Sequence, residues 1–138
     1  KPCPLDRWGE DAGHAVTDPG MSPPRTKTPW GWYEVLATGQ EWQVKILYVQ
    51  PGHRTSLQKH AHRSEWWYLL DGGGLYTVGT QTLLPGDVSW VHIYSGREHR
   101  LTGSPPDGLT VLELQLAHSA GGLSEADILR IADDYDRK

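Results

Sequence analysis

Gln58, His60, His62 and Glu65 crowd into one stretch of the chain, GHRTSLQKHAHRSEWWYLL, Gly52 to Leu70. Gln58, His60 and His62 share one parity, so an extended strand would turn all three to the same side. Glu65 follows a brief turn at the start of the next apolar run, and His99 comes just after a turn at Gly96. Imidazoles and a carboxylate aimed into a barrel can coordinate one divalent ion. Imidazole suits Zn, Fe, Ni, Mn or Co, while an amide oxygen and a carboxylate lean towards harder ions. The remaining histidines, His14, His53, His92 and His118, are read as surface or packing residues.

Such ligands need strands to position them. WYEVLA (32–37) and EWQVKILYV (41–49) read as strands joined by a turn at Thr38-Gly39. TSLQKH (55–60) and EWWYLLD (65–71) flank a polar loop, and Gly72-Gly73-Gly74 turns tightly into LYTVGTQTLL (75–84). After the Pro85-Gly86 turn come VSWVHI (88–93), EHRLTG (98–103) and LTVLELQLA (109–117), the last alternating with period two. Only the end reads as helical. Ser124 is a good N-cap with Asp127 three residues on, Leu123 a candidate hydrophobic staple, and Ile128, Ile131 and Tyr135 follow at helical spacing. Residues 1–28, broken by five prolines, read as an irregular N-terminal extension before a domain spanning 29–138. Short strands at regular intervals with one terminal helix predict an all-β barrel or sandwich.

Composition narrows the function. A formal net charge of -4 with scattered basic residues argues against a nucleic-acid surface, which needs clustered positive charge. No apolar segment approaches the roughly 18–20 residues of a membrane span. Cys3 is the only cysteine, and no basic-then-apolar leader opens the sequence, so the expectation is a soluble cytoplasmic protein. Seven tryptophans stand beside no phenylalanine, so some indoles are available for a ligand or a partner.

The spacing Gly52, Gln58-x-His60, Glu65, Gly72 resembles the first motif of the cupin superfamily, with Gln58 where a histidine is usual. Gly86 to Gly96-x-x-His99 resembles the second, with Tyr94 in place of the turn proline. More closely, the chain resembles the cupin domain of type II mannose-6-phosphate isomerases. The likeness is carried by Pro29-Trp30-Gly31-x-Tyr33-Glu34, Val44-Lys45, Ser56-Leu57-Gln58-x-His60-x-His62-Arg63-x-Glu65, Gly96-x-x-His99-Arg100-Leu101 and the tail Glu125-x-Asp127-Ile128-x-Arg130. Ile46 departs from an arginine frequent in that family, and Gly103 from an asparagine.

The resemblance implies a double-stranded β-helix, or jelly-roll barrel, with one divalent metal, zinc first, and Mn, Fe, Co or Ni as alternatives. It selects Gln58, His60, Glu65 and His99 as ligands, with His62 as a neighbour. It also implies interconversion of mannose 6-phosphate and fructose 6-phosphate through an enediolate, for which a metal supplies a Lewis acid and a side chain shuttles the proton. Lys45, His62 and Glu98 are the candidates for proton transfer. Arg63, Arg97 and Arg100 are candidates for the phosphate, and Trp66 and Tyr68 for stacking on the sugar. Competing expectations are a sugar-binding cupin without catalysis and another cupin enzyme such as a dioxygenase. A homodimer is expected, with Trp30, Trp32 and Trp42 available to its interface.

Overall fold

The computed structural model describes residues 24–118 and 122–137. Eleven strands form two antiparallel sheets. β1 (Arg25–Thr28), β2 (Gly31–Thr38), β3 (Trp42–Val49), β5 (Arg63–Gly72), β8 (Trp90–Ile93) and β10 (Leu109–Ala117) make a six-stranded sheet in the order β1-β2-β3-β10-β5-β8. β4 (Leu57–Lys59), β6 (Gly74–Val78), β7 (Gln81–Leu83), β9 (His99–Gly103) and β11 (Leu129–Ala132) make the second, in the order β11-β4-β9-β6-β7. A single 3-10 turn covers Pro85–Asp87, and among the described residues no helix is long and apolar enough to cross a membrane.

Alternation in the sequence becomes inward and outward facing here, and the inward positions change character along the strands. At one end Val49 pairs with Leu109 and Leu47 with Val111. At the other end Lys45 lies opposite Glu113, Glu113 opposite Trp67, and Gln115 opposite Glu65. The barrel is therefore sorted lengthwise. Trp30, Leu47, Val49, Trp67, Tyr76, Val91, Ile93, Leu101, Leu109 and Val111 fill a buried apolar half, and the other half is lined by charge.

The Gly72–Gly74 run carries the chain from one sheet to the other rather than closing a hairpin. Gly72 has φ +77°, and Gly73 donates its N–H to the Gly108 carbonyl (2.9 Å) while accepting from Ser104 N–H (3.1 Å). LYTVGTQTLL is two strands, β6 and β7, with the turn at Gly79-Thr80. Arg25–Thr28, read as the end of an irregular extension, form β1. Arg25 sits opposite buried Glu34, donates to its carboxylate at 2.7 Å, and stacks over Trp32. The rest of that extension, His14 and Cys3 included, lies outside the described residues. Trp30, expected at an interface, is 6% exposed and belongs to the core, whereas Trp42 is exposed.

The C-terminal helix is not formed. Leu129–Ala132 instead pair with β4 as β11. An isolated helix of about ten residues is marginal in water, whereas the edge of β4 offers unpaired backbone groups. Ser124 accepts from Ala126 N–H at 3.1 Å in a local turn, and Asp127 is drawn away to the loop after β4.

Candidate functional site

Three strands converge at the polar end of the barrel. Glu65 projects inward from β5 of the first sheet. His99 opens β9 of the second sheet, opposite Gln58 of β4, and His60 follows β4 directly. All three of His60, Glu65 and His99 are at most 3% exposed, and their ligand atoms lie within 4.8 Å of one another. The two Nε2 atoms are 3.2 Å apart; His60 Nε2 is 3.3 Å from Glu65 Oε2, and His99 Nε2 is 3.2 Å from Glu65 Oε1.

The outer ring nitrogens decide what the inner ones can do. His60 Nδ1–H donates to the Asp127 carbonyl at 2.6 Å, and His99 Nδ1–H to the Arg97 carbonyl at 2.9 Å. A carbonyl only accepts, so both protons sit on Nδ1 and both Nε2 lone pairs face the cluster. The Arg63 guanidinium reaches the His60 lone pair at 3.1 Å, and two lone pairs this close also suit a proton or a cation between them. Glu65 Oε1, buried beside them, has no good hydrogen bond among the described residues. Two imidazoles and a carboxylate arranged in this way fit a divalent ion of the Zn, Mn, Fe, Co or Ni group.

Gln58 borders the cluster, with Nε2 3.4 Å from His60 Nε2 and Oε1 accepting from the Ser56 hydroxyl at 2.7 Å. Turning the amide over would present Oε1 to an ion and leave Nε2 to donate to Ser56, whose hydroxyl also accepts. Arg63 braces the far side, its guanidinium 2.9 Å from Glu65 Oε2 and 3.1 Å from His60 Nε2.

The electrostatics follow the packing. Burial pushes the His60 imidazole down to about 4, against the pull of Glu65. Burial also opposes the charge on His99, but the Glu65 carboxylate outweighs it and the net shift is upward. Burial alone would raise Glu65; His99, Arg63 and His60 overcome it and hold the carboxyl well below its usual range.

Beside the cluster lies a cavity of about 230 Å³ between the sheets, somewhat smaller than usual ligand pockets. Tyr33, Lys45, Gln58, Arg63, Glu113 and Gln115 line it from the sheets, and Glu125, Ile128, Arg130 and Arg137 from the C-terminal segment. Lys45 is buried, donates to Glu125 Oε1 at 2.7 Å, and lies 4.4 Å over the Tyr33 ring. Glu113 accepts from Trp67 Nε1–H at 3.1 Å and from Gln115 Nε2–H at 2.6 Å. Burial first, and the charge of Glu65 next, push its carboxyl up to about 7. Gln115 Oε1 is buried without a hydrogen-bond partner among the described residues, an acceptor that a ligand hydroxyl would satisfy.

Of the residues singled out by sequence, Gln58, His60, Glu65 and His99 come together, with Arg63 and Lys45 beside them. Arg63 is committed to Glu65 rather than left for a phosphate. Arg100 is buried and donates to the Thr55 and Ala132 carbonyls, and the Arg97 guanidinium packs on Gly79. His62 is exposed on the loop after β4, and Glu98 is half-buried with its carbonyl bound to Gly79 N–H. Trp66 and Tyr68 face out of the barrel, Trp66 stacked on His92 and Tyr68 tilted against Trp90, because Glu65 and Trp67 take the inward positions of β5. His53 bonds Tyr135, and His118 bonds Ser64. Ile46 also points outward, between Lys45 and Leu47, so its departure from arginine leaves the cavity lining unchanged.

Glu113 and Gln115 were missed, although LTVLELQLA signals them. They share the parity of Leu109 and Val111, so two polar residues sit on the inward face of an alternating strand.

Comparison with known proteins agrees with this architecture. The profile of the family described as Mannose-6-phosphate isomerase C-terminal matches residues 14–133. A mannose-1-phosphate guanylyltransferase of Sinorhizobium fredii is 38% identical over 106 residues, covering 77% of this chain and 20% of that protein. The alginate biosynthesis protein AlgA of Pseudomonas aeruginosa is 37% identical over 109 residues, covering 79% and 22%. The chain thus spans about a fifth of the length of these curated relatives. Among solved structures, a cupin-2 domain from Rhodospirillum rubrum superposes with TM-score 0.61 at 20% identity, covering 81% of each chain. The capsular polysaccharide assembling protein CapF from Staphylococcus aureus gives TM-score 0.68 at 14% identity, covering 83% of this chain and 33% of that one. The two-sheet barrel is a cupin fold.

Proposed function

The chain belongs to the Mannose-6-phosphate isomerase C-terminal family, and we propose that its cavity is the active site of a metal-dependent aldose–ketose isomerase. The substrate pair is mannose 6-phosphate and fructose 6-phosphate. The observation that carries this reading is the buried carboxyl of Glu113 lining a cavity that adjoins the His60–Glu65–His99 cluster.

His60, Glu65 and His99, with Gln58 beside them, would hold the ion, and zinc is our first choice. Bound there, it would supply a Lewis acid for the negative charge that develops on the sugar oxygen. Ionised Glu113 takes the proton from C2 of the aldose and returns it to C1, while the O2 hydroxyl proton passes to O1, leaving the ketose. A carboxyl near pKa 7 is divided between its two forms at neutral pH, as a group that both takes and gives a proton requires. Gln115 Oε1 accepts a sugar hydroxyl. Lys45, Arg130 and Arg137, which line the cavity, supply positive charge for the phosphate, Lys45 exchanging Glu125 and Arg137 exchanging Asp133 for it, whereas Arg100 stays bonded to the Thr55 and Ala132 carbonyls.

The test is an isomerisation assay with mannose 6-phosphate on zinc-loaded protein, run beside Glu113→Gln. Turnover by the parent and a loss of at least about 100-fold in the variant are expected. Ligand binding without turnover would favour the binding-only cupin instead.

The proposal includes a homodimer. It is supported by the outer face of the six-stranded sheet, where Tyr68, Trp90 and Trp42 are exposed among the described residues. Sedimentation equilibrium giving a monomer at micromolar concentration would refute it.

A further inference from the structure

His60 occupies a weaker position than its partner. His99 lies at the start of a paired strand, and its Nδ1–H goes to Arg97, two residues back in its own loop. His60 lies in the loop between β4 and β5, where no sheet ladder fixes it, and its Nδ1–H goes to a carbonyl 67 residues away.

The backbone of that loop can be accounted for group by group. His60 C=O accepts from Gly96 N–H (2.7 Å), Ala61 C=O from the Ser95 hydroxyl (2.7 Å), and His62 C=O from His118 N–H (2.8 Å). The two amides after His60 go to a single carboxylate: Ala61 N–H donates to Asp127 Oδ1 and His62 N–H to Asp127 Oδ2, each at 2.9 Å. The carbonyl that receives the His60 ring proton belongs to the same Asp127. One residue thus grips the backbone next to His60 with its side chain and the edge of the ring with its main chain. It is held in turn by the Ser124 turn and by β11 on the edge of β4.

We propose that Asp127 is the positioning residue of the metal centre, a clip from the C-terminal segment that fixes His60 in the tautomer and orientation able to ligate. The inference rests on the metal-centre reading and adds to it a dependence on the segment 122–132. With the clip intact, Nδ1 carries the proton and the Nε2 lone pair is turned to the cluster, where Arg63 reaches it at 3.1 Å. With the carboxylate gone, the Asp127 carbonyl loses its anchor to the loop, and the ring is free to protonate at Nε2 or to rotate. Outer partners of this kind contribute on the order of 10–100-fold to metal affinity.

The test compares the parent with Asp127→Ala, Asp127→Asn and Arg54→Ala. Zn²⁺ affinity is read by chelator competition, and the His60 tautomer by ¹H–¹⁵N long-range NMR on metal-free protein. Arg54→Ala removes an exposed bidentate pair with Asp134, loosening the same C-terminal segment without touching His60. We expect Asp127→Ala to weaken Zn²⁺ by about 10–100-fold and to mix Nε2–H into a parent spectrum that shows Nδ1–H. Asp127→Asn, nearly isosteric and keeping one acceptor, should fall between. Arg54→Ala should stay within about twofold, as an exposed pair allows. An unchanged affinity in Asp127→Ala, an unchanged tautomer, or an equal loss in Arg54→Ala would overturn this inference alone. A parent that binds no Zn²⁺ would overturn the metal centre and the clip together.

Discussion

Glu65 and Glu113 are both buried carboxyls, and the protein drives them in opposite directions. Glu65 meets two imidazoles and a guanidinium and stays ionised; Glu113 meets an indole N–H, an amide and the negative charge of Glu65, and is pushed up to about 7. The consequence has a definite sign. The folded pKa of Glu113 lies above the ordinary carboxylate value, so its protonation favours the fold. That contribution is full below about pH 4.5 and is lost as pH rises through about 7, on the order of 3 kcal/mol. Glu113→Gln stays neutral, so in urea unfolding of metal-free protein the stability lost by the parent between pH 5 and pH 8 should shrink in the variant. On the proposed reading of Glu113 as base, isomerase activity should rise through about pH 7 in the parent and be lost in the variant at every pH. At this scale the sequence was half legible. Gln58, His60, Glu65 and His99 were expected together from the motif they resemble and the fold brings them together, while Glu113 required trusting parity in β10, and the same parity in β5 would have turned Trp66 and Tyr68 outward.

Strands were legible because alternation is a local property: β2, β3, β5, β9 and β10 fall within a few residues of the apolar runs that announce them. The C-terminal segment was not. Ile128, Ile131 and Tyr135 fit a helix by spacing, yet Ile128 lines the cavity, Ile131 is exposed, and Tyr135 bonds His53. The competitors were an open strand edge and two loop amides, both remote in sequence. The Gly72–Gly74 crossing is also an element-scale device. A Cβ on Gly74 would strike the Thr102 carbonyl, and one on Gly72 the Gly108 carbonyl, with Gly72 in the left-handed region besides. Backbone atoms give way poorly, so Gly72→Ala should cost more than about 2 kcal/mol in urea unfolding, whereas Gly86→Ala, with open space around its Cβ, should cost under about 1 kcal/mol.

For the whole molecule, the lengthwise sorting of the barrel ties stability to function. The apolar half holds the sheets together while the polar half buries charges that stabilise little by themselves. Which strand joins which sheet is a long-range choice that no local pattern records, so the convergence of β4, β5 and β9 was expected only through the family resemblance and its sheet order is seen only in the fold. The two Nε2 lone pairs face each other across 3.2 Å, and a proton on His99 competes with any cation. Metal uptake should therefore release protons, and Zn²⁺ affinity should fall as pH drops from 8 to 6, read by titration in buffers of different ionisation enthalpy.

The central claim is that His60, Glu65 and His99 hold one divalent ion. The most direct measurement is metal content by elemental analysis after exposure to Zn²⁺ and removal of the excess, for the parent, His60→Ala and His99→Ala. The account predicts about one equivalent in the parent and almost none in either variant. No retained metal in the parent, or equal metal in all three proteins, would contradict it.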